Sequence, residues 1–412
     1  MEVLRWLFTL SMSFLVGVLL LRMATVHPLV LDRYAFAAGF SVCLWVAMLV
    51  AGFSGVQLLL ALALSLGCAL AGYALATRAV LSTEDPRPVP KLTRSKNDPG
   101  LGHTAVVYFT HGEPETCNPI GWINQFREFD EQGIQFVPFL IRPLFLYQLR
   151  KKYLQVGRSE HRQMHSRMMK SLEQAFRAHG DTTTRFYLSF LDDDPRPDAA
   201  VITALNEGAS RIIVCLVFVT VSNHTAEGKA LVDQLHVEEE FGVPVQYTDP
   251  LWDSSTLHRM FVRRANEYLG PHAKSEVGVL LVGHGQPDEW DQAWPTETEQ
   301  EIQFREAILE LLRQDGYHAE NLSLAWMEFR EPKPANKVEE FVRNGVKKVL
   351  YFPAAISADA IHSQCDIPAL VSQAQVPDSV PLVNMRAWND DPLAISAIKE
   401  RIDVLIRAPE GG

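Results

Sequence analysis

Two histidines carry the strongest chemical signal in the 412-residue chain. His284 sits between Gly283 and Gly285, directly after the apolar run 277–282. His362 follows a second such run, 347–352, by one short loop. Flanking glycines let the backbone turn tightly and let a ligand come close. Two neutral imidazoles facing each other can bind a divalent metal, or accept protons near neutral pH. Alone, either reads as a structural histidine bonded to a neighbouring loop; together they make a site. Carboxylates crowd the same stretches: Glu328 and Glu331 end the run 322–327, Asp359 and Asp366 flank His362, and Asp288, Glu289 and Asp291 follow His284. Glu297 and Glu301 are one helical turn apart and share a face. Singly, each carboxylate is a surface charge or a helix cap. Trp290, Trp294 and Trp326 read as core, although the first two share a polar loop with the acids.

These residues must be held by something, and the chain from about His103 onward supplies it. Short β-rich runs alternate with longer amphipathic ones. The expected strands are 105–109, 134–140, 184–188, 211–219, 243–247, 277–282, 322–327, 347–352 and 380–384. The expected helices are 161–178, 196–207, 226–241, 256–269, 297–314, 335–344 and 392–407. Nearly all-apolar strands alternating with helices predict an α/β fold of doubly wound parallel sheets covered on both faces. Ligands bind such sheets beyond the carboxyl ends of the strands, where His284 and His362 fall.

The region also repeats itself. AVVYFTHGEPE (105–115) and VGVLLVGHGQPD (277–288) are each a strand ending in His-Gly, with a proline and an acid beyond. NEGASRIIVCLVF (206–218) matches RNGVKKVLYFPAA (343–355), with Gly208 and Gly345 as helix stops. His224 and His362 follow those glycines at nearly the same distance. Two similar lobes are expected, 103–270 and 271–412, with a cleft between them. His111, Glu113, Glu115 and His224 stand in the first. The basic segment 150–170 is either an exposed helix face or a cradle for an anionic ligand.

Charge divides the chain. The whole carries 38 Lys+Arg against 49 Asp+Glu, a formal charge of −11, which argues against nonspecific nucleic-acid binding. Residues 1–81 hold only Arg5, Arg22, Arg33, Arg78, Glu2 and Asp32. Three apolar stretches, 6–21, 35–53 and 56–77, read as about three transmembrane helices, the first alternatively as a cleaved leader. No Asp, Glu, Lys, Arg or His lies inside them, so they predict an anchor and not a transport path. Basic residues at 22, 33, 78, 87, 91, 94 and 96 place the remainder on the cytoplasmic face of the membrane. The segment 82–102, rich in proline and charge, reads as a linker. None of the five cysteines is spaced as a metal clip, and no Gly-x-Ser-x-Gly turn supplies a hydrolase nucleophile.

VGHGQPD, MEFREP and GVKKVLYFPAAISADAIHSQCDIPAL resemble the class II tetrapyrrole metal chelatases, the superfamily of ferrochelatases and sirohydrochlorin chelatases. The resemblance covers roughly 103–407. It implies two chelatase-like lobes, a tetrapyrrole and a divalent metal (Fe2+ or Co2+) as substrates, and no permanently bound cofactor. His284 matches the family's active-site histidine. His362 stands where ferrochelatases usually have glutamate and sirohydrochlorin chelatases usually have histidine, the latter followed by a run like Asp366-Ile367-Pro368. Under this resemblance His284 and His362 are the catalytic and metal-contacting pair flanking the ring, and Glu328, Glu331 and Asp359 are further metal-handling groups. A membrane anchor and the two-lobed length suit a ferrochelatase acting on an apolar porphyrin. The alternatives are a sirohydrochlorin chelatase, or a membrane-tethered carrier that binds tetrapyrrole or metal without turnover.

Overall fold

The computed structural model describes residues 2–83, 87–131, 133 and 137–407. They form two compact units, one of residues 1–86 with 116–158, the other of 87–115 with 159–412.

The first unit contains α1 (Glu2–Thr25), α2 (Leu31–Gly52) and α3 (Gly55–Leu81). All three are long and apolar enough to cross a membrane. A Cβ added at Gly17 would collide with the Ala69 carbonyl, and one at Gly72 with the Phe14 carbonyl. Small residues therefore let α1 and α3 approach backbone to backbone, the usual device where lipid supplies no hydrophobic drive. Two polar contacts join the helices: the Ser13 hydroxyl donates to the Ser65 carbonyl, and Trp45 Nε1 donates to Ser65 Oγ at 3.2 Å.

Two further helices, α4 (Pro119–Glu131) and α5 (Arg142–Val156), belong to this unit. Tyr73 donates its hydroxyl to the Leu140 carbonyl at 3.1 Å, and Arg150 donates to the Val26 carbonyl at 3.0 Å. The strand expected over 134–140 lies partly outside the described residues. Phe139–Ile141, which are described, form a 3-10 turn instead, because Pro138 and Pro143 bracket a helix start. The basic segment 150–170 is not one continuous face either. It breaks at Gly157, whose φ of +87° ends α5, and resumes in α6 (His161–Ala178) of the second unit.

The second unit holds the two lobes. In the first, β1 (His103–Thr110), β2 (Arg185–Phe190), β3 (Ala209–Leu216) and β4 (Val245–Tyr247) pair in the order β2-β1-β3-β4. All three pairings are parallel. Their connections run through α6, α7 (Pro197–Asn206), α8 (Asn223–Asp233) and α9 (Val237–Phe241). After α10 (Ser255–Glu267) the pattern repeats. β5 (Val277–Gly283), β6 (Leu322–Trp326), β7 (Lys348–Pro353) and β8 (Leu382–Asn384) pair in parallel in the order β6-β5-β7-β8. Here α11 (Asp288–Ala293), α12 (Pro295–Gln314), α13 (Pro334–Arg343) and α14 (Ile367–Val371) connect them, and α15 (Pro392–Arg407) ends the fold.

The central strands read Val-Ile-Leu because both their faces are covered; β5 is buried at every position. One face of each sheet contributes to a shared core: Tyr108 and Ile213 from the first, Leu281 and Phe352 from the second, packed with Met168, Phe261, Phe304 and Ile398 from the helices. Fully burying side chains of this size stabilises by about 1.5–3 kcal/mol each. The lobes are thus fused through one core along their inner faces. The 87–102 stretch has no regular structure yet is fixed to the first lobe: Asn206 Oδ1 accepts the Thr93 amide at 2.7 Å, and the Leu101 amide donates to the Gly208 carbonyl at 2.7 Å. Where the chain leaves the first lobe for residues 116–158 and returns, the Ser159 amide donates to the Glu115 carbonyl at 3.0 Å.

Candidate functional site

Each sheet reverses its winding between two central strands, β1 and β3 in the first lobe, β5 and β7 in the second. Crevices form at such switch points beyond the carboxyl ends of the strands. One histidine follows each of the four strands: His111, His224, His284 and His362.

In the second lobe the rings of His284 and His362 lie 5.3 Å apart, centre to centre, at 73°. The His284 loop is held by its backbone. Buried Glu301 accepts the His284 amide at 2.8 Å, and Glu301 is itself beside Arg305, buried over the Trp326 ring at 3.9 Å. Gly285 adopts φ +82°, and a Cβ there would lie 2.5 Å from the Glu328 carbonyl. His284 Nδ1 is 2.6 Å from the Gly285 carbonyl. A carbonyl only accepts, so Nδ1 carries the proton and Nε2 keeps its lone pair. His362 opens a π-helical turn, His362–Asp366, which brings its Nδ1 to 2.7 Å from Asp366 Oδ2. Its Nε2 is left free in the same way, and π turns of this kind recur at functional sites.

The two imidazoles differ in basicity. Burial first, then the neighbouring His362, pushes the His284 pKa down, against the opposing pull of Glu328. Burial also works against the His362 proton, but Asp366, Glu328 and Glu113 outweigh it and leave that pKa raised. A neutral base stands beside a more readily protonated one. The 5.3 Å separation is too small to sandwich a flat macrocycle, which needs about 7 Å, twice the contact distance between carbon atoms. The sequence expected the pair to flank a ring; at this separation both imidazoles would instead lie to one side of one.

The other expected ligands separate. Glu328 joins the site: its amide donates to the His284 carbonyl at 3.0 Å, and its charge acts on both imidazoles. Asp359 does not. It is 1 % exposed, and its carboxylate accepts from Arg386 Nε at 2.6 Å, Asn389 Nδ2 at 2.8 Å, Ser363 Oγ at 3.1 Å and the Ala387 amide at 3.1 Å. With its lone pairs spoken for, it fastens the loop that carries His362. Glu331 accepts the Lys333 amide at 2.9 Å ahead of α13 and, among the described interactions, touches neither imidazole. Asp291 is tied to Gln286, Thr298 and Arg330. Among the described residues no group of three or more His, Cys, Asp or Glu side chains is gathered as a metal site.

The first-lobe residues His111, Glu113 and His224, and Trp290 of the second, now acquire partners, and His161 and His165, which the sequence did not single out, join them. Glu113 accepts the Ile361 amide at 2.9 Å, bridging the first lobe to the loop before His362, and burial raises its pKa. His111 and His224 rings are 4.7 Å apart, and Trp290 packs edge-on against His224 at 5.7 Å, which takes it out of the plain core. His161 and His165 form a buried pair at 4.5 Å. His165 is fixed by Tyr108 at 2.9 Å and Thr110 at 3.2 Å, and burial drives its pKa down to about 3. The i, i+4 spacing of that pair was a visible signal, hidden by the surrounding basic residues. Arg162 of the same segment pairs with Asp193 at 2.8 Å and so is engaged within the lobe.

Comparison with known proteins identifies the family. The family described as Ferrochelatase matches residues 103–404. No curated protein sequence matches the chain. Similar solved structures include SirB from Bacillus subtilis with Fe3+, 13 % identical over 73 % of this chain and 94 % of that one, with a TM-score of 0.47. CbiX, described as the terminal enzyme for siroheme biosynthesis in denitrifying bacteria, is 13 % identical over 73 % and 98 %, with a TM-score of 0.40. DR2241 from Deinococcus radiodurans, a multi-domain protein with structural similarity to chelatases, is 15 % identical over 73 % and 55 %, with a TM-score of 0.45.

Proposed function

The chain belongs to the ferrochelatase family, and from that premise we propose that it inserts a divalent metal, Fe2+ by preference, into a porphyrin at the cytoplasmic face of a membrane. The observation that carries the reading is the His284–His362 pair at a switch point, its ring centres 5.3 Å apart and each Nδ1 engaged so that Nε2 keeps its lone pair. Inserting M2+ into a free-base ring releases two pyrrole protons. His284, neutral because burial and His362 depress its pKa, accepts one at Nε2. Glu328, whose charge reaches both imidazoles, accepts the other or passes the metal. His362 shares the metal as it sheds water, its Nδ1–H anchored on Asp366. The metal and the ring are substrates and leave together.

The three apolar helices serve as a multi-pass anchor, with 82–102 as linker, 103–270 as first lobe and 271–412 as second. A sirohydrochlorin chelatase is the second reading, favoured by the imidazole at 362 in place of a carboxylate. Neutral imidazole suits cobalt or nickel as well as iron. Anaerobic incubation of the purified full chain with Fe2+ and a porphyrin should produce the metalloporphyrin spectrum catalytically. Turnover of sirohydrochlorin alone would establish the second reading. Stoichiometric binding without turnover of either would make the protein a carrier.

A further inference from the structure

Under the loop that carries His284 lies an ion pair shut away from solvent. Glu301 and Arg305 are one turn apart on α12, and both are buried, the arginine completely. Glu301 Oε1 accepts the His284 amide at 2.8 Å and stands 3.9 Å from Arg305 Nη2. Arg305 Nη1 donates to the Ala325 carbonyl at 2.8 Å and reaches the Leu281 carbonyl at 3.4 Å, so one guanidinium ties β5 to β6. It lies 3.9 Å from the centre of the Trp326 ring, a cation–π contact. Gly283 makes the room: a Cβ there would fall 2.2 Å from Glu301 Oε1 and 2.5 Å from Arg305 Cζ.

Stability alone does not account for this pair. Two charges must leave water, and apolar side chains of similar volume often stabilise a core as well or better. The ion pair is also a loose one: Nη2 makes no hydrogen bond among the described residues. Yet the first lobe also keeps polar side chains in this place. There α6 precedes β2 as α12 precedes β6, and its buried His161 and His165 are again four residues apart. His165 Nε2 lies 3.2 Å from Thr110 Oγ1, on the residue before His111, as Gly283 is the residue before His284. Burial pushes both those imidazole pKa values down and keeps that pair neutral. The charged pair of the second lobe can do what a neutral or apolar one cannot, which is to hold the Leu281, Ala325 and Glu301 carbonyls with one rigid fork. The chain leaving β5 and β6 then carries His284 and Glu328. Their loops are stitched by the Met327 amide on the Gly283 carbonyl at 2.9 Å and the Glu328 amide on the His284 carbonyl at 3.0 Å.

We propose that Glu301 and Arg305 are a positioning pair, which sets His284 and Glu328 against each other and is not there to stabilise the fold. What this says about rate rests on the chelatase reading. Glu301 fixes the His284 amide, and with it the direction in which the imidazole leaves the strand. Arg305 fixes the end of β6 against β5, and with it the place of Glu328. Both act through those two residues. A displacement of about 1 Å at reacting groups can cost about 100-fold in rate.

The test compares variants of the purified full chain in detergent by thermal unfolding, steady-state metal insertion and amide hydrogen exchange. E301M/R305M replaces the pair by apolar side chains and should unfold at or above the wild-type midpoint. Its kcat should nevertheless fall about 10–100-fold, with KM for the metal changed by less than about twofold. The amides of His284, Met327 and Glu328 should exchange about 10-fold faster or more. E301Q keeps an acceptor for the His284 amide but leaves the guanidinium charge alone, so it should lower the midpoint and spare most of the turnover. R305K keeps the charge without the fork and should quicken exchange at Met327 and Glu328. Should E301M/R305M fail to fold, R305K carries the test. Wild-type exchange at these amides, or a folded E301M/R305M with kcat within about twofold of wild type, would overturn the proposal. Exchange is read without substrate, so a wild-type chain that does not turn over would sink the chelatase reading while the amides still decide the positioning.

Discussion

Asp366 Oδ2 sits 2.7 Å from His362 Nδ1, one turn along the π-helical segment, and orients that imidazole. Replacing the carboxylate by its amide, Asp366→Asn, keeps the shape and removes the charge. Turnover should fall about 10–100-fold, the usual cost of losing such an outer partner. Asp366 helps hold the His362 pKa above its ordinary value. Its loss should move the limb of the rate profile that reports His362 to lower pH, and a profile that stays in place would refute the coupling.

His284→Ala should cut metal insertion about 10²–10⁴-fold, the range for removing a positioned proton acceptor. Steady-state rates at saturating metal check this. A carrier would instead lose affinity, with no turnover to lose.

Asp359→Ala should act on folding and not on chemistry. It removes a buried carboxylate that accepts from Arg386, Asn389, Ser363 and the Ala387 amide. Leaving such partners unpaired costs about 3–5 kcal/mol. The unfolding midpoint should drop, while activity per folded molecule persists. An undisturbed midpoint with abolished activity would restore it to the ligand set.

Glu297 gives the stability a pH dependence. Burial, reinforced by the Glu301 charge, pushes its pKa up to about 8. The folded state therefore holds a proton that the unfolded state releases near 4.5. Stability from this group is full below that pH and is lost as pH rises towards about 8. Glu297→Gln should flatten the fall and raise stability at alkaline pH by roughly 1–2 kcal/mol, the full shift being discounted for partial exposure. Denaturant melts at two pH values decide it.

Gly285→Ala should cost about 1–3 kcal/mol and most of the turnover, since it forces a side chain into a left-handed backbone against the Glu328 carbonyl. Gly102, also left-handed but with open space around it, is the control and should lose activity far less.

Much of this architecture could be read from residues alone. Both lobes, α6 and α15, and the approach of His284 to His362 follow from apolar runs, helical periodicity and the repeat. What could not be read depends on what packs against what. Asp359 and Glu328 are both acids near a histidine; only burial shows that one is used up by Arg386 and Asn389 while the other faces the pair. Spacing gave the two imidazoles a shared crevice but not a distance, so room for a ring between them was assumed where there is none. In the run 134–140 the apolar residues suggest a strand, but Pro138 starts a 3-10 turn over Phe139–Ile141.

The bond from the Ser159 amide to the Glu115 carbonyl has a practical meaning. The 43 residues from 116 to 158 leave the first lobe after Glu115 and rejoin it at Ser159, so the two ends of the excursion stand side by side. In topological terms they are a detachable excursion, and a few glycines from 115 to 159 would close the gap. Such a shortened chain, begun at Arg87, would let the two-lobed body be crystallised and titrated without detergent.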